Sequence, residues 1–494
     1  MKFIGILSAF FAVVTVAVAQ DSTNAPAGRV MSLEDCIQAA LAHNFDVQIQ
    51  RYNPQIDLYS LNAAYEGYDP TFSASGTHSY NVSPGGGVNP YSTNATPARV
   101  TDQNSFNSGI SGTLLPWGLQ YSLSSGLSQD YLPDSSTANV GVTLAQPLLK
   151  NFWIDSTRLS IRLAKNLLAS DEQGLRQQLI TSVTAVATAY YELIFEQENV
   201  QVQQEALQLS QTQLDQDKQR LQIGTLAILS VQQDESQVAQ NQANLIAEQR
   251  KLDSDQNALK TLLTDEYSKW HDVDIQPSEP LVASPQSFNL QDSWSKGMTE
   301  RPDLLQARLK VEKQGIQLKY DRNQLFPELD LTGSYGYNGS GRVFENAVDQ
   351  TGEGNAPFYT YGAKITVPLG NIGPRNIYKS DKVSLQQLLL TLKQLEQSVM
   401  VEIDNAVKTA QSDYQSAEAT KQARIYAEEA LDAEQKTYAV GKATTFEVLT
   451  YQNNLTAARS QEIRALANYE EALAALAQQE GTTLEHYNVN IEAK

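Results

Sequence analysis

The chain has 494 residues, with 56 acidic against 36 basic side chains and a formal net charge of −20. This balance argues against nucleic acid or an anionic lipid surface as partner. The single cysteine, Cys36, excludes a disulfide framework, and four scattered histidines, none in a His-Glu-x-x-His arrangement, give no metal-ligand spacing.

Residues 1–19 read as a signal peptide: one lysine, an apolar run from Phe3 to Ala19, and Ala17-Val18-Ala19 before Gln20. No later stretch reaches the ~20 apolar residues of a membrane-spanning helix, so entry into a membrane must be as strands.

From residue 32 the chain repeats itself at an offset of 257: Ser32-Leu-Glu-Asp-Cys36 matches Asn289-Leu-Gln-Asp-Ser293, Pro70 matches Pro327, and Tyr80 matches Tyr337. Each copy opens on an approximate capping box, with Asp35 or Asp292 three residues after the cap. Helices over 33–66 and 290–325 follow, and Pro70 and Pro327 stop them. The period then becomes two. Leu329, Leu331, Tyr335 and Tyr337 alternate with polar residues, as do Tyr359 to Val367 and Val140 to Leu144. A barrel wall between lipid and water has this pattern, and so does an ordinary half-buried sheet.

The offset falls from 257 at Pro70 and Pro327 to 221 at Pro147 and Pro368, so the first copy carries 36 extra residues. They predict an added hairpin near 105–131 around Trp117-Gly118. It either adds two strands to the sheet or folds back apart from it.

Beyond Ser156 a helix of about 100 Å is expected. Leu179, Val186, Leu193, Val200, Leu207, Leu214 and Leu221 fall seven apart, and Val231 to Leu259 do so on a returning helix. Gln197, Gln204, Gln211 and Lys218 occupy the second seam. Such a helix packs along a narrow stripe and keeps wide wet faces, as the wall of a water-filled tube requires. The second copy is looser, with Arg424 interrupting Ile403 to Tyr438. Residues 264–289 form the expected linker between a first repeat (20–263) and a second (290–478), and 479–494 a polar tail. No phosphate-binding loop or catalytic constellation occurs, so neither enzyme nor cofactor is expected.

Leu33-Glu-Asp-Cys36, the helix-ending Pro70 and Pro327, Gln-Pro-Leu-Leu at 146–149, Val-Pro-Leu-Gly at 367–370 and the tips Leu221-Gln-Ile-Gly-Thr and Tyr438-Ala-Val-Gly-Lys together resemble the TolC family of outer-membrane channels. The resemblance implies an α+β membrane protein: a homotrimer whose strands share one transmembrane β-barrel, continued by a long antiparallel α-helical tunnel in the periplasm of a Gram-negative bacterium. It implies an exit duct in outer-membrane lipid, serving an inner-membrane transporter through a periplasmic adaptor in efflux or type I secretion. In such a duct the added hairpin either joins the barrel, giving six strands per protomer with Trp117 near the periplasmic interface, or folds over the extracellular mouth or the equatorial region. The tips Gly224, Thr225, Gly441 and Lys442 would meet the adaptor. Glu447, Thr450 and Tyr438 would lie at the periplasmic constriction, Thr450 standing where a second acid is expected. Ala443 in place of an arginine, and Leu229-Ser230 in place of a polar, acidic pair, predict a weak closing network. The residues also admit a secreted, coiled-coil-rich structural or interaction protein.

Overall fold

The computed structural model describes residues 28–85, 98–114, 117–131 and 134–489. The expected signal peptide, most of the glycine-rich loop after Pro84 and the last residues of the tail lie outside them. A short strand, β1 (Arg29–Met31), precedes α1 (Leu33–His43) and α2 (Phe45–Ala63). Four strands follow: β2 (Thr71–Ser83), β3 (Arg99–Leu114), β4 (Leu119–Tyr131) and β5 (Asp134–Pro147). The first half closes with α3 (Ser156–Gln222) and α4 (Ile228–Leu263). After α5 (Tyr267–Trp270) and β6 (Ile275–Pro277), the second half runs α6 (Leu290–Glu300), α7 (Pro302–Gln324), β7 (Glu328–Gly341), α8 (Phe344–Glu353), β8 (Pro357–Thr366), α9 (Ile372–Ala439), α10 (Thr445–Glu480) and α11 (Thr483–His486).

Six strands form one antiparallel sheet in the order β2-β3-β4-β5-β7-β8, so the added hairpin, β3 and β4, lies within it. The register sorts the side chains into rows. Phe72, Ile110, Leu123, Val142, Tyr335 and Tyr359 stand directly opposite one another across all six strands, and all are exposed. One residue along is a row of hydroxyls: Thr71, Ser111, Ser122, Thr143, Ser334 and Thr360. Because neighbouring positions point to opposite faces, the sheet is apolar on one side and hydroxyl-lined on the other. The β3–β4 turn lies at the helical end, where Gly118 (φ +70°) comes close to Arg158 at the start of α3.

Two expected helices are each interrupted. Instead of continuous helices over 33–66 and 290–325, the chain turns extended at Asn44 (ψ 127°) and Arg301 (ψ 120°), positions that correspond at the 257 offset. The causes are local. Asn44 accepts hydrogen bonds from the Asp46 and Val47 amides and so caps α2. Pro302 disfavours helix in the residue before it and starts α7 instead. The Ser32–Asp35 capping box forms completely, whereas Asn289 caps only through the Gln291 amide.

At 67 and 68 residues, α3 and α9 each extend about 100 Å. α4 returns along α3 and α10 along α9, and α2 and α7 pack against the far portions of α3 and α9. The seven-residue stripe behaves as its spacing requires: Leu179, Val186, Leu193, Val200 and Leu214 are buried, while Gln204, Gln211 and Lys218 stay exposed.

The main core surrounds the middle of α3, where Tyr190 and Leu193 meet Cys36 and Ile37 of α1, Leu259 and Leu263 of α4, and Ile275 of β6. The linker supplies part of it. β1 and β6 pair in parallel, and the Tyr190 hydroxyl donates to Met31 O at 3.1 Å and accepts from the Ser278 amide at 3.2 Å. The expected polar tail likewise contributes, with Thr483 and Leu484 buried and Tyr487 and Val489 against the core. A smaller core joins Val399, Ile403 and Val407 of α9 to Leu476 and Trp294.

Candidate functional site

The ends of the two long hairpins carry the residues singled out in the sequence. Gly224 and Gly441 have φ of +78° and +76°, and an added Cβ at either would meet nothing within 4 Å. Glycine is needed there for the left-handed turn, not for space. The Thr225 amide and hydroxyl both donate to Arg220 O, and the Lys442 amide donates to Thr437 O, so each helix ends on a closed turn.

Just inside these turns is a buried polar knot. The Tyr438 hydroxyl, on α9, donates to Asp217 Oδ2 on α3 at 2.6 Å and lies 3.0 Å from Thr445 Oγ1 of α10. Thr445 also donates to Asp217 Oδ2, as does Gln213 Nε2 at 3.0 Å. The Arg220 guanidinium lies over the Tyr438 ring, 4.6 Å from its centre, a cation–π contact. The structure adds to the closing groups expected from the sequence. Ala443 and Leu229-Ser230 contribute no such group, but α3 provides both acid and arginine one turn apart, as Asp217 and Arg220.

A second buried acid faces this knot from α4. Asp234 is fully buried, and neither of its oxygens has a hydrogen-bond partner among the described residues. Burial, then the adjacent Asp217 carboxyl, push Asp234 up to about 7. Burial and the Asp217 hydrogen bond also raise the Tyr438 phenol, which stays neutral and able to donate.

Glu447 and Thr450 lie apart from the knot. Glu447 accepts from the Thr444 amide at 2.7 Å and hydroxyl at 2.9 Å, while Thr444 Oγ1 accepts from the Glu447 amide, completing a capping box on α10. These bonds hold the exposed Glu447 carboxyl below its usual range, so it stays charged. Thr450, also exposed, donates to Phe446 O at 2.8 Å.

Asp217, Arg220, Asp234 and Thr445 were missed in the sequence. A signal existed: Asn199, Gln203, Ser210, Gln213 and Asp217 follow one another at four, seven, three and four residues, one face of a helix, and are all buried. They form a polar stripe beside the apolar one, with Asn199 bonded to Ser460 of α10 and Ser210 to Asn241 of α4.

Comparison with known proteins agrees with this architecture. Outer membrane protein TolC of Vibrio cholerae is 25% identical over 358 residues, covering 70% of this chain and 79% of that protein. Outer membrane protein TolC of Escherichia coli is 24% identical over 356 residues, covering 70% and 71%. Among solved structures, the outer membrane protein VceC of Vibrio cholerae has the same fold, with a TM-score of 0.66 over 91% of this chain and 96% of that one at 18% identity. The outer-membrane channel OprN gives 0.68 over 91% and 90% at 15% identity. The family model described as outer membrane efflux protein matches residues 36–264 and 295–482. That match takes in most of the chain, and the protein belongs to the outer membrane efflux protein family: an export duct of the outer membrane whose helical portion stands in the periplasm.

Proposed function

We propose that three copies close one barrel, that their helices form a single tunnel, and that the tips receive cargo from an inner-membrane transporter through a periplasmic adaptor. The observation that carries this reading is the open sheet, whose edge strands β2 and β8 have no outer partner among the described residues, with an apolar row on one face and hydroxyls on the other. Unpaired edges are not tolerated in lipid, so copies must complete one another. Strand direction alternates and six is even, so β8 of one copy meets β2 of the next antiparallel. Three six-stranded sheets give eighteen strands, a number that leaves an aqueous channel with its hydroxyls inward.

The helices support the same assembly. Phe45, Ile49, Tyr52, Ile56 and Tyr59 form an exposed stripe at alternating spacings of four and three along α2. Ile372, Val383, Leu390 and Val401 form another along α9. Each such side chain gains about 1.5–3 kcal/mol on burial, which favours covering both stripes with neighbouring subunits. At the tips, Ile223, Ile228, Leu229, Val440 and Phe446 are exposed beside Gly224, Thr225, Gly441 and Lys442, an apolar surface suited to adaptor docking. A secreted structural rod would leave edges and stripes alike uncovered.

The test is reconstitution. Heat-modifiable trimers conducting ions in planar bilayers, with eighteen strands in a trimer map, are expected. A water-soluble monomer that never permeabilises liposomes overturns the proposal, and twelve strands would exclude β3 and β4 from the wall.

A further inference from the structure

A second group of acids lies midway along the helical wall. Glu192 and Glu196 stand one turn apart on α3, and Asp255 faces them from α4. One carboxylate oxygen from each residue lies within 4.8 Å of those of the other two. An ion bonded to oxygen at the 2.3–2.6 Å typical of calcium spans ligand pairs up to about 5 Å apart. The spread of the three oxygens is thus one that a single ion accepts.

Glu196 makes this more than an acidic patch. Only 3% of its surface is exposed, and its Oε2 has no hydrogen-bond partner among the described residues. A buried carboxylate without donors is strongly disfavoured unless a cation meets it. The two neighbouring cations offset only part of this charge, and neither bonds to Glu196 or Asp255. Lys251 Nζ binds Glu248 at 2.7 Å, while Arg464 binds Glu192 and lies over the Phe195 ring. Negative charge therefore remains in excess where Glu196, Asp255 and Glu248 come together. An open cavity of about 610 Å³, lined by Glu192, Asp255, Arg464 and Glu471, gives water and ions access.

We propose that Glu192, Glu196 and Asp255 bind a calcium ion that ties α3 to α4 in the helical wall. Three carboxylates with room for water are a hard, oxygen-only donor set, suited to calcium and unsuited to metals that select nitrogen or sulfur. The site owes nothing to the tip, and its test does not depend on channel activity.

The full-length protein, purified in detergent and stripped with chelator, is titrated with calcium chloride in a calorimeter, and thermal unfolding is followed in parallel. One calcium per chain is expected, with affinity in the ~0.1–1 mM range of extracellular calcium modules, together with a higher Tm. Glu196→Gln keeps the shape and removes the charge; it should lose at least tenfold in affinity and the calcium-dependent rise in Tm. Asp255→Asn should do the same, which provides a second reading if Glu196→Gln does not fold. Exposed Glu429→Gln should behave as wild type. Absence of both heat and Tm shift at ~10 mM calcium in the wild type overturns the proposal, as does equal affinity in Glu196→Gln. A proton held by Glu196 instead of calcium gives that first outcome.

Discussion

Tyr438 of α9 donates its phenol to Asp217 of α3 at 2.6 Å, joining the last turns of the two longest helices. Both groups are buried, so this bond works where water does not compete. Tyr438→Phe deletes the hydroxyl and keeps the ring under Arg220. Leaving a buried acceptor short of a donor costs about 1–3 kcal/mol. A larger single-channel conductance in planar bilayers is expected, and wild-type conductance would show that the bond does not restrain the tip.

Asp234 makes the same region sensitive to pH. Its carboxyl, raised from 3.8 to about 7, favours the packed tip when protonated. This contribution is complete below the unfolded value, and is lost as pH rises through the folded one. Asp217 of α3 is the charged group that acts on it, and Arg220 of α3 and Tyr438 of α9 in turn contact Asp217. Conductance should therefore increase between pH 6 and 8. Asp234→Asn imitates the protonated form and should hold conductance at its low-pH level throughout; a wild-type pH profile in this variant refutes the assignment.

Glu447 combines a structural bond with an exposed charge. Glutamine retains the capping box, since it too accepts from Thr444, so Glu447→Gln changes charge with little effect on α10. If the three copies of Glu447 line the constriction, cation preference and block by divalent ions should both fall. Melting should stay within about 0.5 kcal/mol of wild type, as is usual for surface substitutions. Unchanged ion selectivity in reversal-potential measurements removes Glu447 from the pore lining.

The strands and the long hairpins were legible because each imposes a period on a single stretch of chain. Leu329 to Tyr337 alternates because one face is apolar, and that alternation reappears in the cross-strand rows. The breaks at Asn44 and Arg301 escaped because hydrophobic periodicity runs through them, although the cap at Asn44 and Pro302 marked both. The tip knot escaped for another reason. Asp217, Asp234 and Thr445 come from three helices, and each alone looks like part of a wet face. Pairing between β1 and β6 was equally hidden, since Arg29 and Ile275 are partners through space across most of the first repeat.

The β3–β4 hairpin has a geometric consequence for engineering. A hairpin always contributes one strand in each direction, so adding or deleting it leaves the outermost strands of the sheet running as before. Subunits would still meet in the same orientation around a wider or narrower mouth. In the proposed barrel, the two strands Arg99–Leu114 and Leu119–Tyr131 would then be the segment that sets the girth of the exit.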